Sequence, residues 1–125
     1  MRVFLDTHAF VSLADANIKR FGRDSRRLLD TGDLFVSPVV LFELHYLREI
    51  GRFSRGPDAY YAGALEEFDV IEASDAVSAV VREAAPLAWT RDPFDRLIVA
   101  TAILHRAKLV TKDANIHEHF DGAVW

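Results

Sequence analysis

Cysteine is absent from the 125 residues. That removes disulfides, thiolate metal sites and a cysteine nucleophile together, and it fits a reducing compartment. Long apolar runs are missing too. The first, Val3 to Leu5, stops at Asp6, too short for the apolar region of a secretory signal, and no later stretch approaches the roughly 20 apolar residues of a membrane span. The chain is therefore expected to be soluble and cytoplasmic, with no membrane partner. It also lacks an excess of positive charge: 15 Lys and Arg face 19 Asp and Glu, for a formal net charge of −4. A polyanionic ligand would have to be drawn in by a local patch or by bound cations, not by the field of the whole molecule. With half its residues hydrophobic and 27% charged, the sequence has the mix of a globular core, not that of a disordered segment. No repeat, low-complexity tract or long linker divides it, so residues 1–125 are expected to form one domain.

What is present alternates in kind. Short β-branched or aromatic runs, Val3-Phe4-Leu5, Leu34-Phe35-Val36, Val70-Ile71, Leu109-Val110-Thr111 and Ala123-Val124-Trp125, read as strands. Between them lie helical patterns over about 9–13, 25–30, 38–50, 58–68, 76–85, 93–107 and 116–120. Strands alternating with helices predict an α/β fold with a central parallel sheet of four to five strands. Ser37-Pro38 and Asp92-Pro93 each set a side-chain cap before a proline, which tolerates the first helical position because its missing N–H had no partner there. The stretch from Gly51 to Pro57 is the clearest loop.

In a parallel sheet with right-handed crossovers, the loops and helix starts that follow the strands gather at one edge, where chemistry is usually placed. Asp6 follows the first strand, Glu43 lies in the helix after the second, Asp92 and Asp95 open a later helix, and Asp113 follows the strand near 110. Each acid also has an ordinary reading. Asp6 and Asp113 can simply cap helices, and Asp92 with Asp95 resembles a cap and its reciprocal acid three positions on. Capping is the first reading for Asp92; a site role is the first reading for Asp95. Glu43 resists an ordinary reading, because it interrupts Val39-Val40-Leu41-Phe42 and Leu44 in a helix apolar nearly all round. An ionised carboxylate there must be paired, metal-bound or at the mouth of a cleft.

Carboxylates gathered in a poorly solvated cleft repel one another and raise one another's pKa values. A divalent cation reverses the sign of that interaction. Hard oxygen donors, without cysteine or a helical His pair, favour magnesium or manganese over zinc. Such ions suit metal-assisted hydrolysis of a phosphodiester.

The segments VFLDTHAF, SPVVLFEL, RDPFDRLIVATA and LVTKD, in this order and at this spacing, resemble the PIN-domain ribonucleases, specifically the toxin component of VapBC toxin–antitoxin pairs. The resemblance covers essentially the whole chain, and RDPFDR is its most specific part. It implies a three-layer α/β/α fold with strand order 3-2-1-4-5 and a catalytic, metal-binding set of Asp6, Glu43, Asp95 and Asp113. Thr7 and Thr111 fall where relatives use small hydroxyl residues to orient metal water or phosphate, and Asp92 is an added, secondary acid. It further implies a Mg2+- or Mn2+-dependent endoribonuclease acting on an RNA substrate, a homodimer, and a cognate VapB-type antitoxin that enters the cleft and builds a higher assembly.

Other residues carry weaker signals. The basic run Lys19, Arg20, Arg23, Arg26 and Arg27 reads either as a hold on RNA phosphates or as a solvated helix face. Arg48, Arg52 and Arg55, with Phe53, Tyr60 and Tyr61, read as a base-stacking surface or as a dimer or antitoxin surface. Lys112, beside Asp113, is placed to contact a phosphate or to do nothing specific. His8 has a possible approach to the site; His117 and His119, two apart, make a poor zinc pair. Val77, Val80, Val81, Ala84 and Ala85 trace an apolar stripe expected to face the core. Two rival readings stand beside the nuclease. A receiver-like phosphoacceptor would want adjacent acids after the first strand, where Thr7 and His8 stand instead. A catalytically inactive PIN-like scaffold would have no need of all four acids.

Overall fold

A computed structural model describes residues 1–125. Its sheet is built outward from β1 (Arg2–Leu5), in which Val3, Phe4 and Leu5 are wholly buried. A strand apolar on both faces is suited only to the middle of a parallel sheet covered on both sides. After β1 come α1 (Thr7–Ala14), a 3-10 turn (Ile18–Arg20), α2 (Arg23–Thr31), β2 (Asp33–Val36), α3 (Pro38–Glu49) and α4 (Pro57–Phe68). The chain continues through β3 (Ile71–Glu72), α5 (Val77–Ala84), α6 (Pro93–Leu104), β4 (Lys108–Val110), α7 (Ala114–His119) and β5 (Ala123–Val124). All pairings are parallel. The strand order is β3-β2-β1-β4-β5, as the resemblance implied. It separates this chain from the receiver-like order 2-1-3-4-5, in which the third strand, not the fourth, lies beside the first.

One apolar cluster fills the space between sheet and helices, with Phe4, Phe10, Phe21, Leu13, Leu44, Ile98 and Leu109 almost wholly withdrawn from water. Each such side chain contributes about 1.5–3 kcal/mol of transfer free energy. Leu109 of β4 packs beside Phe4 of β1 by register, so the strands that carry the site loops are also the most deeply anchored.

The boundaries move for stated reasons. The α1 and α7 helices begin two residues earlier than expected because Asp6 and Asp113 cap them. The α6 helix ends at Leu104, not near 107, because Arg106 turns left-handed at φ 52°. Strand β4 closes at Val110, leaving Thr111 outside the ladder's assigned span. The expected core stripe on α5 is half overturned: Val80 and Ala84 are buried in a small satellite cluster with Ala100, but Val77 is 77% and Val81 51% exposed. The α5 helix packs chiefly on α6, which covers only one edge of its apolar face.

Candidate active site

Parallel pairing of β1 with β4 sets Leu5 opposite Val110, so the residues that follow the two strands leave the sheet side by side. The Asp6 amide donates to the Val110 carbonyl at 3.1 Å, and the Thr111 hydroxyl donates to Asp6 Oδ2. The other carboxylate oxygen, Oδ1, accepts from the Ala9 amide at 2.8 Å and starts α1. Both roles weighed for Asp6 thus coexist in one side chain. Thr111 also accepts from the Asp113 amide at 3.1 Å, while Asp113 Oδ1 accepts from the Ile116 amide at 2.9 Å. A single threonine hydroxyl therefore ties two acids together. Thr7 holds one further acid, since its hydroxyl donates to Glu43 Oε1. Each of these hydroxyls gives its proton to a carboxylate.

Glu43 reaches the edge from α3, whose Ser37 cap accepts from the Val39 amide at 3.1 Å with Pro38 beside it. The helix is less apolar all round than its sequence implied: Phe42, Tyr46 and Ile50 are exposed, and Phe42 and Tyr46 flank the Phe94 ring of α6. Asp92 caps α6, accepting from the amides of Phe94 at 2.9 Å and Asp95 at 3.2 Å. The reciprocal half of a capping box does not form, because the Asp92 amide donates to Thr90 Oγ1 at 3.2 Å. Asp95 is thereby released from capping and left facing the other acids.

Asp6, Thr7, Glu43, Asp92, Asp95 and Asp113 all line one open cleft of about 800 Å³. Thr111 sits wholly buried beneath it. The acids feel one another there. Asp95 is pushed up to about 7, first by desolvation and then by repulsion from Asp92, Asp113, Glu43 and Asp6. Burial also raises Asp6, outweighing the hydrogen bonds from Thr111 and Ala9 that favour its charge. Burial raises Glu43 as well, with Asp92 and Asp6 adding to it against the Thr7 hydrogen bond. The cleft is short of positive charge.

The donor set fits a hard divalent cation in kind, since every acid offers carboxylate oxygen. It is not closed into a cage: as the side chains stand, no three His, Cys, Asp or Glu converge as metal ligands. The walls hold further residues. Lys19, Arg20 and Lys112 line the same cleft, as do His8, Ser12 and Trp125. Lys19 and Arg20 were visible as part of the basic run, and Lys112 as the neighbour of Asp113. Trp125 was not, because its position depends on β5 joining β4.

The second basic cluster lies elsewhere. Arg55 pairs with Asp15 and stacks 4.4 Å from the Tyr60 ring centre, while Phe53 meets Tyr60 edge-on. Tyr61 accepts from the Glu72 amide at 3.2 Å. His117 and His119 bond to the carbonyls of Thr111 and Asn115 and do not converge.

Residues 3–121 match the PIN domain family. The chain is 31% identical over 120 residues to Ribonuclease VapC22 of Mycobacterium tuberculosis, covering 94% of this chain and 91% of that protein. Its fold is similar to VapBC2 from Rickettsia felis bound to a promoter DNA fragment, with a TM-score of 0.62 at 19% identity over 94% of this chain and 92% of that one. A toxin–antitoxin complex from Klebsiella pneumoniae gives 0.58 at 20% identity over 98% and 96% of the two chains. DNA-bound VapBC from Salmonella typhimurium gives 0.61 at 20% identity over 98% and 95%. By the family match and the VapC relative, which agree with the sheet order and the acid-lined edge, this chain belongs to the PIN-domain family, in its VapC branch.

Proposed function

We propose that the cleft hydrolyses RNA phosphodiesters with the help of Mg2+ or Mn2+ held among Asp6, Glu43, Asp95 and Asp113, with residues 1–125 acting as one PIN domain. The observation that carries this is the convergence of five carboxylates, from four separate segments, on one cleft, where burial first and neighbouring acids second push Asp6, Glu43 and Asp95 toward protonation. A divalent cation bound there supplies the charge that lowers the pKa of an attacking water and takes up negative charge on the phosphate. The chain's own residues do the rest. Thr111 and Thr7 fix the orientation of Asp6 and Glu43, and the amides of Ala9 and Ile116 hold the Asp6 and Asp113 carboxylates at the starts of α1 and α7.

The relative's name supports ribonuclease activity, and the solved toxin–antitoxin complexes support two further parts of the reading. These are a toxin of a type II pair and a cognate VapB-type antitoxin; a homodimer within a larger assembly and action in the cytoplasm complete the proposal. No helix is long and apolar enough to cross a membrane.

The test maps the 5′ ends of cellular RNA after induction of the wild type and of Asp6→Asn side by side. New ends unique to the wild type are expected. Identical end profiles would overturn the enzyme reading and favour an inactive scaffold. In parallel, millimolar Mn2+ should raise the Tm of the wild type by several degrees and that of Asp6→Asn much less.

A further inference from the structure

The cleft contains five carboxylates and three cations, yet none of the four ion pairs in the protein joins one to another. Opposite charges sharing a cleft normally collapse together unless the backbone holds them apart. Here it does. The acids come from the ends of β1 and β4 and from α3 and α6. Lys19 and Arg20 come from the 3-10 turn after α1, and Lys112 lies just past β4, on the side toward β5.

The turn that bears Lys19 and Arg20 is pinned by a neighbour from the same basic run. Arg26 donates from Nε to the Phe21 carbonyl at 2.8 Å and from Nη2 to the Lys19 carbonyl at 3.2 Å. Arg26 is thus structural, and Arg23 pairs with adjacent Asp24 at 3.7 Å. Lys19 and Arg20 have no such partner. On the same wall the Trp125 ring rests 5.3 Å from buried Phe21, and Lys112 Nζ lies 5.8 Å from its centre. Gly22 permits this approach, because a Cβ there would stand 2.7 Å from the Trp125 carbonyl carbon.

We infer that this wall is a subsite for single-stranded RNA, in which Lys19, Arg20 and Lys112 hold backbone phosphates beside the scissile bond and Trp125 stacks a nucleobase. The inference rests on the nuclease reading and gives it a direction: the strand lies across the cleft, with the bond to be cut over the acids and its neighbouring nucleotides over the cations. An unpaired strand is required, since a base within a duplex offers no face to an aromatic ring. The wall also answers how a protein of net charge −4 draws in a polyanion, by a local patch opposed to the overall field.

The experiment measures binding of a labelled 12-nucleotide single-stranded RNA of mixed sequence by fluorescence polarisation, in magnesium and in an Asp95→Asn background that slows hydrolysis. Lys19→Ala, Arg20→Ala and Lys112→Ala should each weaken binding several-fold, and each should flatten the dependence of log K on log salt by about 0.7. Arg23→Ala and Arg27→Ala, from the same run but outside the cleft, should change it less than twofold. With Trp89→Phe added, Trp125 is the sole tryptophan, and its emission should be quenched as RNA is titrated in. Wild-type-like binding by the triple variant, or equal losses at Arg23 and Arg27, would overturn the phosphate subsite. Unchanged Trp125 emission at saturation would overturn the stacking. Because cleavage is scored separately on the wild type, RNA cutting with subsite-independent binding sinks this inference alone. Absence of cutting with subsite-dependent binding sinks only the nuclease reading.

Discussion

Asp75 and Asp95 are both half-buried aspartates, and the protein treats them in opposite ways. Asp75 Oδ2 meets His105 Nε2 at 2.6 Å. Arg2 lies 2.9 Å from the other ring nitrogen, Nδ1. A guanidinium can only donate, so Nδ1 accepts, Nε2 carries the proton, and Asp75 receives it. The His105 ring packs against both Phe4 and Phe35, which also stack on each other. Here a carboxylate near the core is satisfied in the conventional manner. Asp95, in a cleft that contains two lysines and an arginine, meets no cation and four other acids. The chain gives Asp75 a ring N–H to accept from, and it leaves Asp95 among other acids with no cation paired to it. That contrast separates a cleft of unpaired acids from a hydrogen-bonded structural pair.

The strongest way to break the contrast is to remove each acid in turn and assay RNA cleavage with Mn2+. Asp95→Asn should lower the rate by on the order of 10³-fold or more, as loss of an essential catalytic group does. Asp75→Ala should leave it within about twofold. Comparable losses would mean that Asp95 is no more than another structural acid.

Stability in a chelator should show the reverse order. Asp95 titrates at about 7 in the fold against an ordinary 3.8, so its charged form is disfavoured by folding. The protein is relieved of that burden below pH 4 and carries it increasingly as the pH rises toward 7. Asp95→Asn should therefore raise the Tm by a few degrees at pH 8 in EDTA, with the gain fading at pH 4. Asp75→Ala should lower the Tm at pH 8, because it strips the partner from His105, a loss of about 1–3 kcal/mol. Thermal melts at the two pH values decide it, and a Tm lowered by Asp95→Asn at pH 8 would show that its charge is neutralised after all.

The smallest effect belongs to Asp92. Its Oδ1 caps α6, and asparagine caps almost as well as aspartate. Asp92→Asn should keep the Tm within about a degree and leave cleavage reduced by less than about tenfold. A loss equal to that of Asp95→Asn would move Asp92 into the essential set.

Much of this was legible from the residues. The alternation of elements gave the parallel sheet and the edge at which the acids gather, the motif resemblance gave the strand order, and Leu5 opposite Val110 is the register that brings the loops of Asp6 and Asp113 together. What was not legible depends on contacts across the sequence. The aim of the Thr7 and Thr111 hydroxyls at carboxylates could not be read from spacing. Nor could the diversion of the Asp92 amide to Thr90, which frees Asp95. The exposure of Val77 and Val81 was missed because periodicity marks an apolar face but not how much of it a neighbour covers.

Three of the cleft aspartates, Asp6, Asp92 and Asp113, are also the first brace of a helix. A descendant that lost its chemistry would still be held to a short polar residue at those places by the architecture of its helix starts. Their persistence in a lineage is thus a poor witness to activity. Asp95 and Glu43, which brace nothing, are the positions where disuse would leave its mark first.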